Sequence, residues 1–222
     1  MTELLDYLSR HFLTEPQLLT AAALDATTLH ALQARRMTPM PSYRLRLAVH
    51  CDSFFGPHTG QHVLHCYARG TPAWLHAVRN LPDEAAAFAL FATRHQARLR
   101  ALDAHAQVDL ADAWRSFLDG IYGLCTRSGL PEEIAAKEWA AGVIEALTAA
   151  GDAAPDPDRP RATGMTAMHA ATPASILTTP RARLRAAVDL LDAASSPFAP
   201  HERARSSRAR LVEQVRQRYA LE

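Results

Sequence analysis

The chain has 222 residues, 48% of them apolar, and a formal net charge of +1. That length and composition support one large domain or two small ones with a real core, and exclude a disordered chain. The near-neutral balance gives no global field that would select nucleic acid or membrane, and no apolar run approaches the roughly 18–20 residues a membrane span needs.

The first elements read as helices. Leu4, Leu5, Leu8 and Phe12 fall on one helical face. "TEPQLLTAAAL" follows, with Thr14 as N-cap, Pro16 in the first turn and Gln17 three residues after the cap, a capping box. "DATTLHALQARRM" opens on Asp25 and places Leu29, Leu32 and Arg36 one turn apart. Pro39 and Pro41 then forbid further helix.

After a His- and Cys-rich stretch the chain reads as helical again. "TPAWLHAVRN" is expected to be capped by Thr71. "LPDEAAAFALFATRHQARLRAL" has acids in its first turn and Arg94, Arg98 and Arg100 late, which suits the helix dipole. "DLADAWRSFLDGIYGLC" reads as one helix in which Gly120 and Gly123 are costly unless another backbone or a ligand comes close. "LPEEIAAKEWAAGVIEALTAAG" is the next. Residues 151–180, with five prolines and many small residues, read as a long loop or lid. Two helices, "RARLRAAVDLLDAA" and "HERARSSRARLVEQVRQRYALE", close the chain. Trp74, Trp114 and Trp139 are expected as core anchors, His95 as a core histidine, and Glu133, Lys137 and Glu138 as a solvated face.

Charge is segregated. Residues 101–160 carry eleven Asp and Glu against four Arg and Lys, and residues 181–222 carry nine Arg against five acids. Two faces that attract each other, or a homodimer partner, are the simplest reading; an acidic ligand or a protein partner is the bolder one. Cys51, Cys66 and Cys125 are an odd set, and the start "MTELLDYLSRHFLTE" lacks a cationic segment followed by an apolar run. Reduced thiols in a cytoplasmic protein are therefore expected, with no membrane partner.

The stretch "VHCDSFFGPHTGQHVLHCYARG", Val49 to Gly70, carries the densest chemistry. His58, His62, His65 and Cys66 are candidate ligands for a zinc or iron ion, since imidazole and thiolate suit a borderline metal and helical spacing would put the histidines on one face. "HCD" has the His-x-Asp form of an iron-binding facial triad. His50, Asp52 and His58 are candidates for acid–base catalysis, because a histidine beside a carboxylate moves its proton near neutral pH. Ser53 or Cys51 is a possible nucleophile. Ser53, Phe54, Phe55, Tyr122 and Cys125 are candidate small-molecule contacts. A buried structural turn filled by Phe54 and Phe55 is the bland alternative.

Two short helices with a tight turn, then "MTPMPSYRL", resemble the helix-turn-helix and wing of MerR-type regulators over about residues 13–46. That resemblance implies DNA contact, with Thr27, Thr28, His30, Arg35 and Arg36 towards the major groove and Arg44 and Arg46 on phosphates. An extra helix precedes the motif, and the long dimerising coiled coil of that family is not obvious here. Together, "FLTEPQLL", "LHALQARRMTPMPSYRL", "CDSFFGPH" and "YARGTPAWL" look like a bacterial family of unknown function from natural-product biosynthesis gene clusters, which implies a cytosolic protein of such a pathway.

The expected fold is all-α: a helix-turn-helix-like module over 1–48 on a helical body over 49–150, then a loop or lid over 151–180 and C-terminal helices over 181–222. The expected function is small-molecule handling, by binding or by catalysis, near residues 50–66. A DNA-binding regulator with a helical effector domain is the alternative.

Overall fold

The computed structural model describes residues 3–102, 109–152 and 179–221. The loop or lid expected over 151–180 lies largely outside the described residues. The all-α expectation is overturned by a three-stranded antiparallel sheet of order β1-β3-β2.

The chain opens with α1 (Glu3–His11), β1 (Phe12–Thr14), α2 (Glu15–Ala22) and α3 (Ala26–Ala34), followed by β2 (Tyr43–Ser53) and β3 (Gly56–Ala68). The strand signal is present in "YRLRL". Tyr43, Leu45 and Leu47 are half-buried and alternate with exposed Arg44 and Arg46, a period of two. β1 pairs only with the base of β3, from Phe12 opposite Ala68 to Thr14 opposite Cys66. β2 and β3 pair along their whole length, from Tyr43 opposite Cys66 to Ser53 opposite Gly56. The His-rich stretch is thus a long β-ribbon, not a turn or loop.

The body begins with α4 (Thr71–Val78), α5 (Glu84–Ala101), α6 (Leu110–Leu118) and α7 (Ile121–Cys125), and continues with α8 (Pro131–Asp152) and α9 (Pro180–Ala194). The last expected helix is broken. A 3-10 turn at Arg203–Arg205 precedes a π-helical turn, Ala209–Glu213, that runs into α10 (Gln214–Tyr219). The helix expected over 109–125 also breaks, because Gly120 takes φ +75° and ends α6. Both glycines are close approaches of backbone: a Cβ at Gly120 would meet the Met40 carbonyl at 2.6 Å, and one at Gly123 the Ser42 hydroxyl at 2.0 Å.

Three core clusters hold these elements. The largest joins Leu18, Leu29 and Leu32 of the helix pair to Trp74, Phe91, Trp114, Phe117 and Ile134. The head and body therefore share one core. Trp74 is fully buried, and its indole N–H donates to the Met37 carbonyl at 2.9 Å. A second cluster joins Ala140 and Ile144 of α8 to Leu184, Val188 and Leu191 of α9 and to Val212 and Val215. A third packs Tyr7, Leu8 and Phe12 on Cys66, Tyr43 and Ala199 at the ribbon's base. Among the described residues no helix is long and apolar enough to cross a membrane.

Candidate nucleic-acid interface

The helix pair is built as its sequence dictates. The Thr14 N–H donates to the Gln17 side chain at 2.9 Å, and Ala23 ends α2 in the left-handed conformation. Asp25 then caps α3 by accepting from the Thr28 N–H at 2.7 Å. The connection is the three-residue turn 23–25, the length a helix-turn-helix uses. Leu29 and Leu32 face the core, so Thr27, His30, Ala31 and Ala34 form the opposite, exposed face of α3. Thr28 is half-buried at the cap.

Arg35 and Arg36 do not project from that face. The Arg35 guanidinium donates to the Pro82 carbonyl. Arg36 Nε donates to Glu84 Oε1 at 2.9 Å, which holds the Glu84 carboxyl below its ordinary range. Both arginines tie the end of α3 to the start of α5.

Directly paired strand residues share a face and alternate residues do not. The register therefore places Arg44, Arg46, His50, Asp52, Thr59, Gln61 and His65 on one face of the ribbon. Tyr43, Leu45, Leu47, Cys51, His58, His62 and Cys66 lie on the other. The first face is on the side of the helix pair: His65 Nδ1 lies 3.1 Å from Glu15 Oε2, and His30 Nε2 of α3 lies 3.6 Å from Glu15 Oε1. The Tyr67 hydroxyl also meets Glu15, at 3.3 Å, and burial pushes its pKa up to about 12. On the other face the Tyr43 hydroxyl donates to Glu202 at 2.6 Å and anchors the ribbon to the body; burial and then Glu202 raise its pKa.

Beyond Leu47 and His62 the ribbon stands clear of the body, with nearly every residue exposed. Its turn carries Phe54 and Phe55, 97% and 96% exposed, packed edge-to-face at 5.4 Å. The Ser53 hydroxyl closes the turn on Gly56, at φ +108°. The expectation of Phe54 and Phe55 as buried fillers is reversed.

Metal ligation at His58, His62, His65 and Cys66 is also overturned. Among the described residues no group of three or more His, Cys, Asp or Glu could hold a metal ion. The expected helix would have gathered these side chains, whereas a strand spreads them. His58 and His62 lean together over Gly60, where a Cβ would meet their Nε2 atoms at 3.5 and 3.1 Å. His65 projects from the opposite face. Cys66 lies four residues, about 13 Å, beyond His62, and burial pushes its thiol up to about 11. The zinc or iron expected from this set has no described ligand shell. His50 and Asp52 share a face and are exposed, without a second histidine beside them among the described residues, and His58 lies on the other face.

Tyr122 and Cys125 belong to the body. α7 approaches β3 at its base, where Gly123 packs on Ala68, so the structure does not bring them to residues 50–66. Burial raises the Cys125 thiol. The Tyr122 hydroxyl donates to Glu138, whose other oxygen lies 3.5 Å from Nε2 of fully buried His95. Glu138, expected on a solvated face, is instead the half-buried centre of a Tyr–Glu–His line. Despite its partial burial, its carboxyl is held below its ordinary value by His95 and Tyr122. Its place beside Lys137 in a charged stretch concealed that role.

The fold sets a pair of short helices and a long β-ribbon on a helical body. The profile of a family of unknown function (DUF6058) matches residues 87–168 and 162–220, more than half of the chain, and the protein belongs to that family. The helix pair and the ribbon precede the first matched residue. No curated protein and no solved structure matches the chain.

Proposed function

We propose that this protein binds duplex DNA, with α3 in the major groove and the β2–β3 ribbon along the adjacent backbone. The observation that carries the reading is the common orientation of two exposed surfaces: the Thr27–His30–Ala31–Ala34 face of α3 and the Arg44–Arg46 face of the ribbon, joined through Glu15. Small side chains on α3 allow close approach of a helix to base edges, and Thr27 and His30 supply hydrogen-bonding groups there. Arg44 and Arg46 are exposed and form no ion pair among the described residues, so both charges are free for phosphates. The exposed Phe54–Phe55 tip has the character of the apolar wedges that proteins insert between base steps from the minor groove. Arg35 and Arg36 hold α3 in place in this reading and do not touch DNA.

The sequence likeness to a natural-product family supplies a setting, in which the protein regulates a biosynthetic pathway. The competing reading, acid–base chemistry by His50, Asp52 and His58, receives less support because all three are exposed on a free ribbon and divided between its faces.

The test is a titration of duplex DNA from the protein's own gene neighbourhood at low salt, with wild type and Ala31→Glu. Ala31 is exposed, so the variant folds; its carboxylate would face the groove and abolish binding. Equal binding by both proteins would refute the placement of α3, and no binding by wild type would refute the reading as a whole.

A further inference from the structure

A cleft of about 400 Å³ lies between the head and the body, away from the proposed DNA face. One wall is Arg10 and His11 at the end of α1, Phe12 of β1, and Arg69 just after β3. The other is Thr126 and Arg127 after α7, Ser196 and Pro197 after α9, and Arg208. Its lining holds four arginines and one histidine and contains no Asp or Glu.

The state of each arginine decides what this charge is for. Arg208 is neutralised: it pairs with the Asp192 carboxylate and lies 3.8 Å from Glu213. Arg69 donates to the carbonyls of Ser9 and Arg10 at 3.3 and 2.7 Å, and thereby caps α1. Arg127 donates to the carbonyls of Ser195 and Asp192, both at 3.2 Å. These two side chains are held in position by neutral oxygens, so each keeps its full charge. The Arg10 guanidinium has no hydrogen-bond or ion-pair partner among the described residues. All three line the cleft with His11, whose pKa is held below its ordinary value first by burial and then by the charges of Arg69, Arg10 and Arg127. Like charges so placed repel one another, and an anion seated among them would relieve that repulsion.

We infer that this cleft is a binding site for a small organic anion bearing two acidic groups, phosphate or carboxylate, with Arg10, Arg69 and Arg127 as its counter-ions. Guanidinium forks match the planar edges of both oxyanions. Phe12 and Pro197 offer an apolar surface for the ligand's carbon part. The hydroxyls of Thr126 and Ser196 are already committed to the Tyr122 and Leu124 carbonyls, so arginine supplies the recognition. The volume falls within the roughly 300–1,000 Å³ of small-molecule sites. The inference does not depend on DNA binding, since no residue of the cleft lies on α3 or on the ribbon's exposed half.

The experiment is calorimetric titration of the full chain with inorganic pyrophosphate and, separately, with citrate, at constant ionic strength. Saturable binding of pyrophosphate alone identifies a phosphorylated ligand, of citrate alone a carboxylate, and of both a site that reads charge and spacing. Arg10→Glu, a change at an exposed side chain without partners, is expected to leave the melting temperature of the free protein unchanged and to weaken binding by at least about tenfold, the worth of one charge-assisted pair. Arg127→Gln, on the opposite wall, is expected to weaken the same probe. Absence of saturable heat with both anions, or wild-type affinity in both variants, would overturn the inference.

Discussion

Glu15 and His65 meet at 3.1 Å, and this contact joins the first turn of α2 to the face of β3 that carries the arginines. The same carboxylate lies 3.6 Å from His30 of α3. One side chain therefore sets the ribbon against both helices of the pair. Glu15→Ala is expected to destabilise the fold by about 1 kcal/mol, the usual net worth of such a contact, read as a shift of the urea midpoint at unchanged slope. An unchanged midpoint would show that the ribbon is positioned by its base alone.

The head and body are one cooperative unit, because Trp74 sits at their shared core and donates to Met37. Trp74→Ala is expected to cost about 3–5 kcal/mol through the lost volume and the orphaned carbonyl. Circular dichroism and tryptophan fluorescence should then report one shared, lowered transition. Two separated transitions would contradict a common core.

Gly123→Ala places a Cβ at 2.0 Å from the Ser42 hydroxyl and 3.1 Å from the Ala68 Cβ. The strand-entry segment would have to move, at a cost of about 1–3 kcal/mol. Gly142→Ala is the control, since nothing lies within 4 Å of its Cβ; a gain of up to about 1 kcal/mol is expected there in a helix interior. Equal melting temperatures for the two variants would refute the close approach at Gly123.

Glu138 links stability to pH. Its carboxyl titrates below its ordinary value in the folded protein, because His95 and Tyr122 favour the charged form. Its contribution is therefore complete above the unfolded-state pKa and is lost as the pH falls through that value towards the folded one. Glu138→Gln is expected to be less stable by about 1–2 kcal/mol at neutral pH, in line with loss of a charge-assisted bond, and the difference should shrink progressively as the pH falls below the ordinary glutamate value of about 4.3. A gap that stays constant with pH would show that the charge of Glu138 contributes nothing.

Much of the head was legible in the sequence. Thr14 with Gln17, and Asp25 before Thr28, mark the two helix starts, and both caps form. The ribbon was half legible. Tyr43, Leu45 and Leu47 alternate with Arg44 and Arg46 because that part of β2 has one face on the core. The outer half is exposed on both faces, so no hydrophobic pattern was required of it, and its histidines and glycines read as a loop. The cleft was not legible, because Arg10, Arg69, Arg127 and Arg208 lie far apart in sequence and only the packing of head on body gathers them. Glu138 was misread because a charged residue beside Lys137 on a helix is usually solvated, and only the register of α8 against α5 turns it onto His95.

The ribbon tip offers a prediction that separates binding from folding. Phe54 and Phe55 contact little besides each other, so the double change to Ser is expected to leave the melting temperature within about 1 °C of wild type. The same change should weaken DNA binding by about tenfold if the pair wedges into the duplex. Wild-type affinity would confine the contact to α3 and the arginine face.

The most direct measurement is the salt dependence of duplex binding, by fluorescence anisotropy, for wild type and Arg44→Ala/Arg46→Ala. The account predicts a steep linear fall of log affinity with log salt in the wild type, and in the double variant a slope reduced by about 2, one unit for each phosphate contact removed. Identical slopes for the two proteins would mean that the arginine face of the ribbon does not touch the phosphate backbone, and would contradict the proposed interface.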